Sequence, residues 1–281
     1  MESYIIITDS CSEITSNMAK KLGISVIPFT VRLSDKDYLS NDETEITYTQ
    51  FFSSVKSGLF PVPLIPDKES YMKIFESILA EGKDIIYLSV SGKLLPGFSN
   101  ACEAKKLLET KYPDRRISVL DTKTASVGES LIAVRAAEKM KEGAGFEEVI
   151  SAVEKMAEAV STWFYVEDIN HLKRRGMVSV SEPSPAVAMK VRPILAIEDG
   201  SVVIKSKMRG NANAEKYIID KAVEKGIDKT VLISSAANDE RSERIKESFL
   251  ERNAGEEFII LPMGIISGSF FGPGTGAVAY L

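Results

Sequence analysis

The sequence predicts an α/β protein of two domains, and three observations support this fold class. Short strand-like apolar runs alternate with segments whose apolar residues recur every three or four positions, which is typical of a mostly parallel sheet covered by helices. The chain has 281 residues, or about two domains at roughly 150 residues each. Beyond residue 160, a hairpin signal at Asp199-Gly200 indicates a mixed sheet instead. We therefore expect domains at 1–159 and 160–281.

The first domain is expected to alternate strands and helices along its length. Its strands share β-rich segments bounded by turn residues and are predicted at 4–8, 24–33, 84–90 and 117–120. Its helices share an apolar face and are predicted at 14–22, 47–56, 67–81, 99–111, 125–142 and 149–160. Thr47 and Gln50 have capping-box spacing, Asp67 can cap the following helix, and Gly23 and Gly82 are expected stops.

The second domain is expected to combine a hairpin with two more helices. Its predicted strands are short apolar runs at 162–166, 192–197, 202–205, 230–234, 257–261 and 277–281. Its predicted helices cover 213–225 and 240–252. The glycine-rich segment 272–276 precedes a strand rather than a helix, so we interpret it as a tight turn and not as a phosphate loop. Because no Gly/Ser-rich linker separates the domains, their seam is the default ligand site.

Composition excludes several classes of function. A net charge of −5 argues against a nucleic-acid-binding face, and the single histidine excludes a two-histidine zinc site. No apolar run approaches the roughly 20 residues of a membrane span, and the first residues lack the basic start of a signal peptide. Two cysteines do not make a disulfide framework. We therefore expect a cytoplasmic protein.

Three polar features of the sequence are candidate sites of chemistry. Cys11 lies between a strand end and a helix start, where helix amides can lower a thiol pKa, so it is either a nucleophile with His171 as base or an ordinary loop cysteine. His171 itself is interpreted as solvated or structurally bonded. The run Lys173-Arg174-Arg175 is either a site for a phosphate or acidic partner or a solvated helix end. These residues alone do not name a ligand.

Several segments, taken together and in order, resemble the DegV family of bacterial fatty-acid-binding proteins. The segments that match family motifs in order and spacing are Thr8-Asp9-Ser10-Cys11-Ser12-Glu13-Ile14, Val26-Ile27-Pro28-Phe29, Asp121-Thr122-Lys123-Thr124-Ala125-Ser126, Phe164-Tyr165-Val166, Leu172-Lys173, Arg192-Pro193-Ile194-Leu195, Arg209-Gly210 and Gly272-Pro273-Gly274. Each segment alone is weak evidence, but the ordered set spans nearly the whole chain. The resemblance implies a two-domain DegV-like fold with no metal or nucleotide.

The resemblance also implies a fatty acid whose acyl chain lies in a tunnel between the domains. In the family, two hydroxyl-rich loops hold the carboxylate, and an arginine and a histidine lie close by. The positions of this sequence that would surround the lipid are Ser10, Cys11, Pro63, Leu64, Ser91, Gly92, Leu95, Gly97, Met177, Ser269 and Phe270. No catalytic residue and no metal ligand is implied.

This sequence departs from the family pattern at the polar positions. The first loop reads Pro63-Leu64-Ile65-Pro66 and has lost its hydroxyls, whereas the second, 91–97, keeps only Ser91. Met177 stands at the arginine position and Phe270 at the histidine position. A buried carboxylate with few donors costs several kcal/mol or stays protonated. We therefore expect an atypical or weakened carboxylate site.

The leading hypothesis is a lipid-binding protein, not an enzyme, that holds a fatty acid or related acyl lipid. The alternatives are a thiol-dependent acyl-transfer enzyme that uses Cys11, and an interaction protein that has lost its ligand. Some family members present the lipid carboxylate to a separate fatty-acid kinase. With Met177 and Phe270 at the arginine and histidine positions, we expect a poor partner for such a kinase, although Lys93 or Lys123 could substitute.

Overall fold

The computed structural model describes residues 3–40, 43–176 and 190–281, and Met177 lies outside these ranges. Its strands, in chain order, are β1 (Tyr4–Asp9), β2 (Ser25–Ile27), β3 (Thr30–Leu33), β4 (Lys36–Leu39), β5 (Val62–Leu64), β6 (Asp84–Ser89), β7 (Ile117–Asp121), β8 (Ser161–Tyr165), β9 (Val191–Glu198), β10 (Ser201–Arg209), β11 (Thr230–Ser235), β12 (Glu257–Pro262) and β13 (Gly276–Tyr280). Its α-helices are α1 (Ser16–Leu22), α2 (Tyr48–Lys56), α3 (Lys68–Ala80), α4 (Gly97–Lys111), α5 (Val127–Lys141), α6 (Phe146–Ala159), α7 (Ile169–Arg174), α8 (Asn211–Lys225), α9 (Asp239–Leu250) and α10 (Ile265–Phe271). The α/β fold class expected from the sequence is confirmed.

The first sheet is parallel throughout, with strand order β2-β1-β6-β7. Its central strand β6 is buried at every position, as expected for a parallel strand covered on both faces. Helix α5 is also buried along most of its length and packs against this sheet on one side. Its other side packs against the second sheet, so one helix is shared between the two halves of the molecule.

A small antiparallel sheet, β4-β3-β5, was not expected. The single strand predicted at 24–33 is wrong, because the chain leaves the parallel sheet after Ile27 and enters the small sheet at Thr30. Pro28 separates the two strands and has no amide hydrogen to continue a ladder. This break brings the Phe29 amide within 2.9 Å of Ser10 Oγ, which accepts its hydrogen bond.

The second sheet is mixed, with order β10-β9-β8-β13-β11-β12, and only β11 and β12 run parallel to each other. The predicted hairpin joins β9 to β10, and Asp199 and Gly200 adopt φ angles of 46° and 76° at its two-residue turn. Both positive angles match the type I′ turn that the Asp-Gly signal predicts. The mixed sheet and hairpin expected in the second half are confirmed.

Local signals at helix ends are also confirmed. Thr47 and Gln50 form a capping box at α2, and the Asp67 side chain accepts the Ser70 amide at α3. Gly272 and Gly274, at φ angles of 83° and 76°, form the turn that leads into the buried strand β13. Among the described residues, no helix is long and apolar enough to cross a membrane. The domain boundary near residue 159 stays a prediction, although α6 ends and β8 begins there.

Candidate functional site

A cavity of about 300 Å³ lies between the two sheets. Its walls come from the loops after β1 and β6, the end of α7, the start of β10, and α10. The lining residues are Cys11, Val90, Lys93, Leu94, Leu95, Ala125, Arg175, Ser201, Val202, Ile266, Ser267, Phe270 and Phe271. The volume is at the lower end of the range for small-molecule sites, and a mostly apolar lining with a few polar groups is typical of them.

A second pocket, of about 610 Å³, lies between α2 and the start of α9. Its lining is more polar, and its buried Arg241 is already engaged: Nη1 donates to the Gly274 carbonyl at 2.7 Å, and Nη2 lies 3.6 Å from Glu167 Oε1. An acyl chain would gain little hydrophobic stabilisation by binding to such a polar surface. The smaller cavity is therefore the better candidate for a lipid.

Asp9 fixes the floor of this cavity. Its Oδ1 accepts the Cys11 amide at 2.9 Å, which caps the short 3₁₀ turn Ser10–Ser12. Its Oδ2 accepts the Tyr87 hydroxyl at 2.9 Å and the Val90 amide at 3.0 Å, so it ties the loop after β1 to strand β6 and the residue that follows it. Burial raises the pKa of this carboxyl, and these three donors oppose the shift. Asp9 therefore has a structural role under the site.

Glu13 joins the same floor to the other half of the molecule. It has a φ of 57°, and its Oε1 accepts the Ser126 hydroxyl at 2.7 Å. Its Oε2 accepts the Gly264 amide at 2.6 Å. Burial raises the pKa of Glu13 to about 7, and these donors oppose the shift. The residue thus sits between ionised and neutral forms near neutral pH.

Of the two interpretations of Cys11, the structure favours the ordinary loop cysteine over the activated nucleophile. Burial, together with the negative charges of Asp9 and Glu129, raises the pKa of Cys11 well above its usual range. Glu129 lies close by, with Oε1 accepting the Thr8 hydroxyl at 2.7 Å and Oε2 without a partner in the described structure. The acidic neighbourhood cancels any benefit from the turn amides, so Cys11 is a poor nucleophile here.

The burial of Arg175 is the largest difference between the site and the sequence-based expectation. The sequence favoured a solvated helix end, but the guanidinium is half-buried in the cavity wall. It lies 4.0 Å from the Phe60 ring centroid and 5.6 Å from that of Phe270. Its Nε donates to the Ser269 carbonyl at 2.7 Å, and Nη2 donates to the Pro61 carbonyl. Within residues 3–40, 43–176 and 190–281, no carboxylate pairs with this guanidinium. Desolvation by burial lowers the pKa of Arg175 to about 10, and repulsion from Arg174 contributes less.

The other basic candidates are already paired. Lys93 reaches the cavity, but its Nζ lies 2.6 Å from Asp199 Oδ2. Lys123 pairs with Glu158 and does not line the cavity. Both pairs are solvent-exposed, and they leave Arg175 as the cation with the fewest ionic contacts at the site.

His171 is structurally bonded, as one of the two interpretations had it. It is buried on α7, and its Nε2 lies 2.7 Å from the Ser269 carbonyl oxygen. Its Nδ1 has no partner among the residues described. No hydrogen bond therefore joins it to Cys11 as a general base would require.

The structure brings only some of the sequence-predicted lipid residues together. Cys11, Leu95 and Phe270 line the cavity, whereas Ser10, Pro63, Leu64, Ser91, Gly92, Gly97 and Ser269 do not. Met177 lies outside the described residues. Of the predicted hydroxyls, Ser269 Oγ donates within its own helix to Ile265, and Ser91 Oγ donates to the Gly200 carbonyl at 2.8 Å.

The hydrogen bond from Ser91 to the Gly200 carbonyl links the loop after β6 to the hairpin turn. Gly200 is required there, because a Cβ at that position would lie 2.5 Å from Ser91 Oγ. The positive φ of 76° at Gly200 adds a second reason for glycine. Neither Ser91 nor Gly200 lines the cavity, but Lys93 and Ser201, which follow them closely in the chain, do.

Sequence reasoning missed Glu13 and Ser267 as residues at or beside the site. The resemblance placed Glu13 in a matched motif without a role. Ser267 carries no motif, and only the folded position of α10 brings it to the cavity. Arg175 was signalled by the uninterrupted basic run, for which an acidic partner was one of the two interpretations.

The chain is similar to known proteins over nearly its whole length. The family model described as "Uncharacterised protein, DegV family" matches residues 3–281. A DegV domain-containing protein of Clostridium perfringens is 27% identical over 285 residues, with 100% of this chain and 98% of the relative covered. A DegV domain-containing protein of Streptococcus pyogenes is 28% identical over 278 residues, with 98% and 97% covered.

Three solved structures are similar over their whole length. A Thermotoga maritima protein described as having a fatty acid binding function has a TM-score of 0.85 and 26% identity, with 100% of both chains covered. A DegV family protein of Thermus thermophilus, also described by its fatty acid binding, has a TM-score of 0.85 and 26% identity, with 99% of each chain covered. The fatty acid kinase B3 protein of Streptococcus pneumoniae, loaded with linoleic acid, has a TM-score of 0.84, with 99% of each chain covered; its 19% identity shows the fold alone.

Proposed function

The chain belongs to the DegV family, and from this premise we propose that it is a fatty-acid-binding protein that holds one acyl chain in the cavity between its two sheets. The single observation that carries the proposal is the cavity itself, apolar over most of its wall and placed where two halves of the molecule meet. The Thermotoga maritima and Thermus thermophilus relatives, described as fatty-acid binders, support the ligand class.

The carboxylate site differs from the family pattern in the groups that serve it. Arg175 supplies a half-buried cation without an ionic partner in the described residues, and Ser267 supplies a hydroxyl at the cavity floor. A fatty-acid carboxylate would provide the charge that Arg175 lacks. The site is thus atypical, with one relocated cation and one hydroxyl in place of hydroxyl-rich loops, and weaker for a carboxylate than the family pattern.

A binding protein is favoured over the two alternatives. An acyl-transfer enzyme would need a reactive Cys11, whose raised pKa argues against it. A protein that has lost its ligand would have filled this space, whereas Leu95 and Phe270 border a cavity of about 300 Å³. We propose no enzymatic activity and no cofactor, and the cytoplasmic location stays a proposal from the sequence.

We propose that this protein is a poor partner for a fatty-acid kinase. Phosphoryl transfer needs a carboxylate held in fixed geometry near cations. Of the three candidate cations in the described structure, Lys93 and Lys123 are paired with Asp199 and Glu158, so Arg175 alone is left to hold the carboxylate. A coupled assay with oleate, ATP and the kinase of the same host should give turnover far below that with a family member that keeps the arginine and the histidine. Equal turnover would contradict this.

The binding itself is tested by calorimetry on delipidated protein with saturated acids of increasing length. Each methylene buried contributes about 0.8 kcal/mol, or about a fourfold gain in affinity. The gain should persist until the chain fills the cavity and then stop. Native mass spectrometry of protein purified from its own host should show a lipid-sized adduct. No binding at any chain length, with the protein folded, would refute the proposed function.

A further inference from the structure

The cavity between the two sheets has a buried end and an open end. The lining residues that are at most 7% exposed are Cys11, Val90, Ala125, Ile266, Ser267 and Phe271. The lining residues that solvent reaches include Lys93, Leu95, Arg175 and Phe270. Because Arg175 is the cation that would hold a carboxylate, a bound acyl chain lies with its head group at the open end and its methyl group at the buried end.

Helix α10 closes the buried end on one side. The Phe271 ring is stacked on the Phe164 ring of β8, with 4.3 Å between the centroids and 22° between the planes, and both side chains are buried. Helix α10 also packs directly on α2, since a Cβ at Gly268 would lie 2.5 Å from Phe52 Cζ. Side chains packed this closely leave no space behind α10 for further methylenes.

Two hydrogen-bonded tyrosines fill the core beneath the loop after β1. Asp9, which accepts the amide of the cavity-lining Cys11 at 2.9 Å, also accepts the Tyr87 hydroxyl at 2.9 Å. The Tyr87 hydroxyl lies 3.0 Å from that of Tyr71, and a Cβ at Gly97 would lie 3.0 Å from the Tyr71 hydroxyl. A chain that extended in this direction would have to break a buried hydrogen bond, which is costly.

With its buried end closed, the cavity limits the length of a bound chain by its volume, about 300 Å³. An engineered apolar cavity of about 150 Å³ binds benzene, which corresponds to about 25 Å³ for each carbon. On this scale the cavity holds about twelve carbons, with the carboxyl carbon included. A longer acid must leave methylenes in water or draw its carboxylate away from Arg175.

We propose that the cavity selects fatty acids of medium length, about ten to twelve carbons, and that Phe271 sets this limit as the side chain at which the methyl end stops. Phe271 is the largest side chain among the buried lining residues, and its stacking on Phe164 holds the ring in place. The inference rests on the proposed function and deepens it, because it names a class of acyl chain and a specificity-determining residue.

The test is calorimetric titration of the delipidated protein with even-numbered saturated acids from octanoate to hexadecanoate, each below its micelle concentration. Affinity should rise about fourfold for each buried methylene as far as decanoate or dodecanoate. Beyond that length the gain should stop, so hexadecanoate should bind no more tightly than dodecanoate. A gain of about fourfold per methylene that continues to hexadecanoate would overturn the inference.

A matched pair of variants tests the role of Phe271. Phe271→Leu removes three carbons from the buried end, or at most about 75 Å³ on the same scale, and the neighbours relax into part of that space. The limit should therefore move by about two carbons, and the first acid beyond the wild-type limit should gain up to about 16-fold over the acid before it.

The control, Phe270→Leu, is the same substitution one residue earlier, at the half-buried end. It should weaken all the acids by a similar factor and leave the limit in place. An unchanged limit in folded Phe271→Leu, or an equal shift in Phe270→Leu, would overturn the role of Phe271.

The outcomes also separate this inference from the proposed function. If no acid of any length binds the folded protein, the proposed function fails. If the acids bind without a limit up to hexadecanoate, only the inference fails. Should Phe271→Leu not fold, Val90→Ala takes its place: it frees space for about two carbons in the loop after β6 and keeps the amide that donates to Asp9. It should move the limit in the same direction, and an unchanged limit would show that the buried end does not set it.

Discussion

Replacing Arg175 with glutamine removes the cation from the cavity wall and leaves a shorter, uncharged polar side chain. The wild-type guanidinium donates Nε to the Ser269 carbonyl and Nη2 to the Pro61 carbonyl, and in the described residues it has no carboxylate partner. A hydrogen bond to a charged group contributes about 1.5–3 kcal/mol. Because the side chain is half-buried, solvent screens part of this interaction, and we expect the lower half of the range. Fatty-acid affinity in Arg175→Gln should therefore fall about 13- to 45-fold.

The assay is calorimetric titration with dodecanoate and with dodecan-1-ol, side by side. The alcohol has no charge for Arg175 to balance, so its affinity should fall less than about threefold. Arg174→Gln is the matched control: Arg174 is the neighbouring arginine, and its exposed guanidinium pairs with Asp168 at 3.7 Å. It should leave both affinities unchanged. Equal losses for acid and alcohol in Arg175→Gln would mean that the residue only shapes the wall, and would refute the charge argument.

Three further predictions concern the framework of the site. Cys11 should react with iodoacetamide more slowly than free cysteine at pH 7, because burial and its acidic neighbours raise the thiol pKa; an equal or faster rate, followed by mass spectrometry, would contradict this. Gly128→Ala should lower the free energy of unfolding by about 2–4 kcal/mol in urea titrations, because its Cβ would lie 2.0 Å from Thr162 Oγ1 and disrupt the Thr124–Thr162 hydrogen bond. The control Ser151→Ala, on the exposed face of α6, should change this free energy by less than about 0.5 kcal/mol. Glu13 has a folded-state pKa of about 7 against an ordinary 4.5, so its contribution to stability is complete below pH 4.5 and is lost as the pH rises through 7. The loss in unfolding free energy is about 3 kcal/mol. Glu13→Gln should abolish this part of the difference in unfolding free energy between pH 5 and pH 8.

Turns and helix ends were predicted well where their structure depends only on residues close by in the sequence. The Asp199-Gly200 turn, the Thr47 capping box and the Asp67 cap depend on backbone groups a few residues away, and each is confirmed. The small antiparallel sheet was missed because β3 pairs with β5, about thirty residues later, and a short apolar run does not show which sheet it will join.

The site was harder to predict than the fold, because a cavity depends on pairs of residues far apart in the chain. Glu13 meets Gly264 across almost the whole sequence, and nothing near either residue signals the contact. For Arg175 a solvated helix end was the favoured interpretation, because cations are common at helix C-termini, whereas Phe60 and Phe270 cover it in the fold. The family resemblance predicts a lipid between the two domains, but it does not show which residues face the cavity; that depends on the folded structure.

The shared position of α5 bears on how the molecule folds. Leu131 belongs to the same apolar cluster as Leu232 and Ala277 of the mixed sheet, whereas Ile132 and Ala136 pack with Ile6 and Ile86 of the parallel sheet. A fragment cut at residue 159 would leave the first set facing water, at a cost of about 25 cal/mol for each Å² of apolar surface exposed. The two halves are therefore joined energetically as well as in sequence, and we expect one cooperative unfolding transition rather than two. In a lineage that evolves new ligands, the walls of the cavity can change residue by residue, but neither half can be exchanged alone for a foreign one.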